Sequence, residues 1–236
     1  MYTALFPVRI LGNVILLPIE ADNQDPALRI FSTLNDHGLP LSDADIFKSQ
    51  FYKHFSGRGQ AHQFSERWKA LEEGANEILR PLRGMPMDDL FTRYMYYRRA
   101  LEGNRDTTTQ GLRDFYARDK YAILKDDKTL DDLERLLRFW QRVDARNGFS
   151  DEALRRLAVL QYAPNGMWMY LLSVWFLAND DGAGGLDDGQ FVGFLDVMTA
   201  FVWAYAVERP GVNPLRSPVY PEMINIVQHK PVTFAA

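Results

Sequence analysis

A chain of 236 residues with 47% hydrophobic and 13% aromatic content can bury a sizeable core, as one large helical domain or two small ones, which excludes a disordered polypeptide. The absence of cysteine excludes disulfides, thiolate metal sites and cysteine nucleophiles, and fits a reducing cytoplasm. A net charge of −4 argues against a nonspecific nucleic-acid coat, yet residues 1–47 carry 2 basic and 6 acidic side chains, 48–156 carry 22 and 18, and 157–236 carry 3 and 7, so a middle of +4 lies between two ends of −4.

The stretch 8–19 is β-branched and apolar, broken by Gly12-Asn13, and predicts a strand pair or one long strand. Such an element is unstable alone, so it is expected to pack on the helices, on a missing domain or on a second copy of the chain. Residues 1–24 accordingly read as a β remnant of a preceding domain. A helical domain is predicted over 25–208. Asp25 can cap its first helix and Pro26 suits the first helical position, while Ala27, Ile30, Phe31 and Leu34 give one apolar face. Gly38 can end that helix, Pro40 cannot continue it, and Ser42 with Asp45 three residues on starts the next. A second stripe follows at Ile46, Phe47, Gln50, Phe51, His54 and Phe55, leaving Asn35, Asp36 and His37 to line a polar turn.

Phe31, Asn35, Gly38, Leu41 and Ser42 form a Phe-x-x-x-Asn-x-x-Gly-x-x-Leu-Ser string that resembles the motif of the GmrS/GmrD-like family of modification-dependent restriction and phage-defence proteins. In that family the motif follows a ParB- or sulfiredoxin-like nucleotidase domain with an Asp-Gly-Gln-Gln-Arg signature. It leads into a long helical region, often followed by an HNH nuclease, and full-length relatives are expected to be NTP-dependent endonucleases. The resemblance spans roughly residues 5–75. Where the family usually carries Arg before the turn glycine, this chain has His37, which removes the anion contact of that Arg. The resemblance implies that Asn35 faces the nucleotidase pocket of the preceding domain; the alternative is that Asn35 and Asp36 only bond local backbone. It also implies partners: nucleotidase and nuclease modules in cis or trans, and DNA.

Neither catalytic signature of the family is encoded. Asp-Gly-Gln-Gln-Arg does not occur, and Asp188-Gly189-Gln190-Phe191 is a lookalike within a helix-start pattern. The only histidines, His37, His54, His62 and His229, form no spaced ligand pattern. No catalytic residues, metal ligands or cofactor are therefore assigned, and the chain reads as the region after the nucleotidase signature, without the nuclease.

From Ser42 on the pattern is helical. Phe64, Trp68, Leu71, Ala75 and Ile78 define a helix ending before Pro81, and Asp88, Leu90, Phe91, Tyr94 and Met95 define another closed by Gly103-Asn104. A helix is predicted over 109–124 with Leu112, Phe115 and Tyr116 inward. Thr129 and Asp132 predict the next start, with Leu133, Leu136, Leu137 and Trp140 as its stripe and Asn147-Gly148 as its stop. Ser150 caps a helix with Leu154, Leu157 and Leu160. The segment 166–178 is apolar on nearly all sides, so it reads as the central core element or as the wall of a ligand pocket. At about a dozen residues its apolar run is shorter than the roughly 20 a bilayer needs, so a soluble cytoplasmic protein with no membrane partner is expected. The Asp- and Gly-rich segment 180–185 lacks the bidentate Glu of a Ca²⁺ loop, having Gln190 at that position. Phe191, Leu195, Met198, Val202 and Tyr205 face inward in a further long helix. From Arg209 a tail containing Pro210, Pro214, Pro218 and Pro221 is predicted to run extended before a short helix over 222–228.

The expected fold is thus mainly α, a multi-helix bundle or an array of helical hairpins with a small N-terminal β element. Candidate nucleic-acid contacts are Lys48 and the pairs Arg98-Arg99 and Arg155-Arg156, since arginines interleaved with Tyr94, Tyr96, Tyr97, Phe115 and Tyr116 suit phosphate contact and base stacking. The same pattern suits a solvated helix face whose arginines pair with nearby aspartates. Function divides accordingly between a non-catalytic helical region that positions the two enzyme modules and touches DNA, and a protein interaction scaffold with no nucleic-acid role.

Overall fold

The chain divides into two units, Met1–Leu41 and Ser42–Ala236. A computed structural model describes residues 42–81, 84–108, 110–180, 182, 185–208 and 213–234, all in the second unit. The expected β element at 8–19, a dimer contact through it, and the motif positions Phe31, Asn35, His37, Gly38 and Leu41 lie outside the described residues. Among the described residues all regular structure is helical, and the fold is mainly α.

Helix α1 (Asp43–Ser56) starts at a capping box: the Ser42 hydroxyl accepts from the Asp45 amide at 3.1 Å and the Asp45 carboxylate accepts from the Ser42 amide at 3.2 Å. Phe47, Phe51 and Phe55 recur every fourth residue and are buried against α2 (Ala61–Ile78) and α3 (Pro86–Leu101). Phe64, Trp68 and Phe91 complete that aromatic layer. Pro86 sits in the first turn of α3, where its missing N–H forfeits no hydrogen bond.

The helix expected over 109–124 is broken. Helix α4 (Leu112–Tyr121) departs from helical geometry at Arg118, and Asp119, Lys120 and Tyr121 take left-handed conformations with φ of 48°, 55° and 62° before a 3-10 turn, Ala122–Lys125. The chain must reverse here to reach the next helix, and no glycine occurs between Gly111 and Gly148 to make the reversal freely. The turn is held by Lys125, whose ammonium donates to the Lys120 carbonyl at 2.6 Å, and by Arg118, which donates to the Phe115 carbonyl at 3.0 Å and pairs with Glu102. Left-handed backbone costs an L-residue roughly 1–2 kcal/mol. Lys120 is exposed, so Lys120→Gly loses no packing and should raise stability by about 0.5–1 kcal/mol after the flexibility glycine adds to the unfolded chain. A higher urea midpoint at unchanged slope would show it.

Helix α5 (Asp127–Asp144) begins earlier than the Thr129/Asp132 pattern predicts, because Asp126 takes the cap and its carboxylate accepts from the Lys128 amide at 3.0 Å. Aspartate outranks threonine as a cap. Thr129 and Asp132 are instead buried within the helix, where Thr129 donates to the Ile123 carbonyl and Asp132 accepts from Tyr94. Helix α6 (Asp151–Leu160) is capped by Ser150 as expected.

Helix α7 (Met167–Asn179) is the central element, with nine of its residues buried between α3, α5 and α9 (Asn213–Val227). Ser173 lies within that apolar surface, where its hydroxyl accepts from the Trp140 indole N–H at 3.0 Å and donates to the Met169 carbonyl. Helix α8 (Asp188–Glu208) packs chiefly on α6, and Phe191 meets Phe139, Phe149 and Trp175. Among the described residues α8 is the one helix long and apolar enough to cross a membrane by length and composition.

From residue 213 the predicted extended stretch is helical: Asn213–Val227 form α9, 15 residues long with Pro218 and Pro221 inside it. Each proline removes one helical N–H and strains the turn before it. Leu215, Val219, Tyr220, Met223 and Ile226 are all buried, and their packing on α3 and α7 offsets that loss.

Candidate functional site

A cleft of about 770 Å³ opens where the C-terminal ends of α2 and α5 meet one face of α3 and the start of α7. Helix α3 contributes Asp88, Asp89, Thr92, Arg93 and Tyr96, a run that follows one helical face at i, i+1, i+4, i+5 and i+8. Trp140 comes from α5, Met167 to Tyr170 from α7, and Arg216 from α9.

Arg93 is the centre of the charge arrangement. It is only 3% exposed, and its guanidinium lies 4.3 Å over the Trp140 ring. Nε and Nη2 donate to one oxygen of Asp89 at 2.9 and 2.7 Å, and the other Asp89 oxygen accepts from the Tyr170 hydroxyl at 3.3 Å. Nη1 is buried with no hydrogen-bond partner, as is Nε of the half-buried Arg216. An unmet buried donor costs about 1–3 kcal/mol, more when charged. Burial, reinforced by the Asp89 charge, pushes the Tyr170 phenol up to about 12, so it stays a donor across the physiological range. Burial likewise raises the Asp88 carboxyl above its ordinary value, against the lowering effect of the Ala44 amide that donates to it at 3.0 Å. The lining supplies aromatic faces and hydrogen-bond donors. It contains no Ser, Cys or His, and among the described residues no group of three acidic or imidazole side chains is placed to hold a metal.

The residues singled out in the sequence are placed differently. Ser42 caps α1. Lys48 is about half exposed, 3.6 Å from Glu72 and 5.8 Å from the Trp68 ring. Arg99 is 4% exposed, which corrects its reading as a surface phosphate contact: it donates to the Asp106 carbonyl and lies over the Tyr220 ring. Arg98 is half-buried with an unpartnered Nε. Arg156 pairs with Asp196 and Glu152. Of the five, Arg155 alone is exposed without a carboxylate partner among the described residues. They do not form one basic face.

Comparison with protein-family profiles, curated proteins and solved structures finds no match to this chain. The cleft residues were only partly visible in the sequence. The apolar segment 166–178 carries the pocket-wall reading, and Met167 to Tyr170 do line the cleft. Arg93 left a weaker signal, a charge between the core positions Leu90 and Tyr94, and Arg216 left none, since its segment was expected to be extended.

Proposed function

We propose that the chain is a non-catalytic helical region of a DNA-targeting restriction or phage-defence protein of the GmrS/GmrD-like type, and that it positions nucleotidase and nuclease modules while making little contact with DNA itself. The attribution to that family rests on the Phe31-to-Ser42 motif. The positioning role rests on one observation: three of the arginines interleaved with aromatic residues, Arg93, Arg99 and Arg118, stack on the protein's own rings, as does Arg142 further along the chain. Arg93 lies over Trp140, Arg99 over Tyr220, Arg118 over Phe115 and Arg142 over Phe149, at 4.0 to 5.0 Å. Guanidinium groups held this way fasten helices together and are not presented to phosphates. A plain interaction scaffold with no nucleic-acid role is the second reading, favoured by the outer side of α8, where Val197 is 42% and Val207 84% exposed.

Anisotropy titration of labelled duplex DNA at physiological ionic strength tests the positioning role. Binding should be no tighter than the weak nonspecific range, about 10⁻⁴ M, and should not change in Lys48→Glu/Arg155→Glu. Tight binding whose salt dependence falls in that double variant would replace it with a direct DNA-gripping role. The neighbouring coding sequence tests the attribution: an Asp-Gly-Gln-Gln-Arg signature or an HNH pattern beside this chain separates the defence reading from the plain scaffold.

A further inference from the structure

We propose that the cleft between α2, α3, α5 and α7 is a binding site for a small molecule that joins a flat aromatic body to an anionic group, a carboxylate or a phosphate. The inference is independent of any role in DNA defence, since it uses only side chains of the helical unit.

Two donors define the anionic end. Nη1 of Arg93 and Nε of Arg216 are the buried lining groups with no acceptor, and both belong to permanently charged guanidiniums. Two of the three lining carboxylates are engaged: Asp89 is held by Arg93 and Tyr170, and Asp88 accepts from the Ala44 amide. The third, Asp144, is exposed, and so is the lining Arg80, which among the described residues donates to the carbonyls of Asn76 and Leu79. An incoming cation would meet two guanidiniums with free N–H groups, whereas an oxyanion would satisfy them with charge-assisted hydrogen bonds.

The rest of the wall defines the body of the ligand. Trp140, Trp168, Tyr96 and Tyr170 line the cleft, with Tyr96 and Tyr170 rings 4.9 Å apart. Met167 and Met169 add adaptable thioether surface, and the Met169 sulfur already lies 3.6 Å from Nη2 of Arg93. At about 770 Å³ the space falls within the range of small-molecule sites, and its pattern of apolar walls with a few convergent donors is the usual one.

Isothermal titration calorimetry and thermal shift on the full chain test this with four probes: indole-3-acetate, adenosine monophosphate, indole and inorganic phosphate. At millimolar concentration one of the first two should bind and raise the melting temperature, and which of them does so identifies the anion as carboxylate or phosphate. Indole and inorganic phosphate, each carrying half of the chemistry, should bind at least tenfold more weakly. Arg216→Leu should weaken binding at least tenfold without lowering the melting temperature of the free protein, since it removes an unmet buried donor. Should that variant fold poorly, Arg216→Gln removes the charge at similar length and is held to the same result. The proposal is overturned if neither aromatic anion binds, if inorganic phosphate alone binds as well as they do, or if loss of the Arg216 charge leaves their affinity intact.

Discussion

Arg135→Ala should lower unfolding stability by about 3 kcal/mol, the lower end of what removing one partner of a buried ion pair costs. Arg135 projects from α5 and joins two carboxylates whose side chains are each 3% exposed: Nη1 donates to Asp132 at 2.9 Å, and Nε and Nη2 donate to Asp180 at 2.9 and 2.6 Å. Nη2 also donates to the Asp180 carbonyl, which ties the C-terminal end of α7 to α5. Alanine takes the guanidinium from both buried carboxylates and leaves Asp132 only the more distant charge of Lys128. The guanidinium itself is 20% exposed, so water entering its place offsets part of the loss, which is why the lower end applies. The pH dependence carries a sign. Burial raises the Asp132 carboxyl above its ordinary value of 3.8, against the lowering effect of Lys128, Arg135 and Tyr94. The folded state therefore holds that proton more tightly than the unfolded chain, and the associated stability is fully present below 3.8 and lost as pH rises through the raised value. Removing Arg135 raises it further, so the deficit of Arg135→Ala should be largest near neutrality and should shrink as the solution is acidified. Asp132→Asn/Asp180→Asn added to Arg135→Ala should recover most of it. Urea unfolding at pH 7 and pH 4 measures all three effects, and a loss below about 1 kcal/mol at pH 7 would mean that solvent, not Arg135, neutralises the pair.

Most signals set by local chemistry read correctly in the sequence. The Ser42 and Ser150 caps, the every-fourth-residue aromatics of α1 and the all-round apolar character of α7 each follow from one segment's own residues. The start of α5 is the local miss, since Asp126 takes the cap ahead of Thr129; the other failures depended on the rest of the fold. The break in α4 is a chain reversal demanded by where α5 must start, and periodicity from Leu112 to Leu124 contains no trace of it. Helix α9 forms despite Pro218 and Pro221 because α3 and α7 offer its apolar residues a surface, a gain that no propensity scale includes. The site shows the same division. Arginine interleaved with aromatics was legible as a pattern, but whether those guanidiniums face bases, water or the protein's own rings is a tertiary question. For Arg93, Arg99 and Arg118 the answer is the protein's own rings, while Arg113 pairs with Asp43 and Arg105 is exposed.

Trp68→Ala should be comparably destructive, at about 3–5 kcal/mol, the usual cost of removing a large aromatic from a packed core. Trp68 is 2% exposed and sits where three helices meet: its ring centroid lies 6.0 Å from Phe51 of α1, 5.8 Å from Phe64 of α2 and 6.1 Å from Phe91 of α3. Those three rings are themselves fully buried, so none can swing outward to fill the space without exposing apolar surface elsewhere. Lys48 lies 5.8 Å from the same indole and would lose a weak cation–π contact, a minor part of the total because its ammonium is well solvated. Trp68→Phe keeps most of the volume and the aromatic edges, and should cost roughly half as much or less. A domain of ordinary stability has about 5–15 kcal/mol in hand, so the alanine variant should unfold at much lower urea while still folding in buffer. If Trp68→Ala lost less than about 1 kcal/mol, the aromatic layer would not be holding α1 against α2 and α3, and the polar ties of Ala44 to Asp88, Asp43 to Arg113 and His54 to Asp127 would be left as the main anchors of that helix.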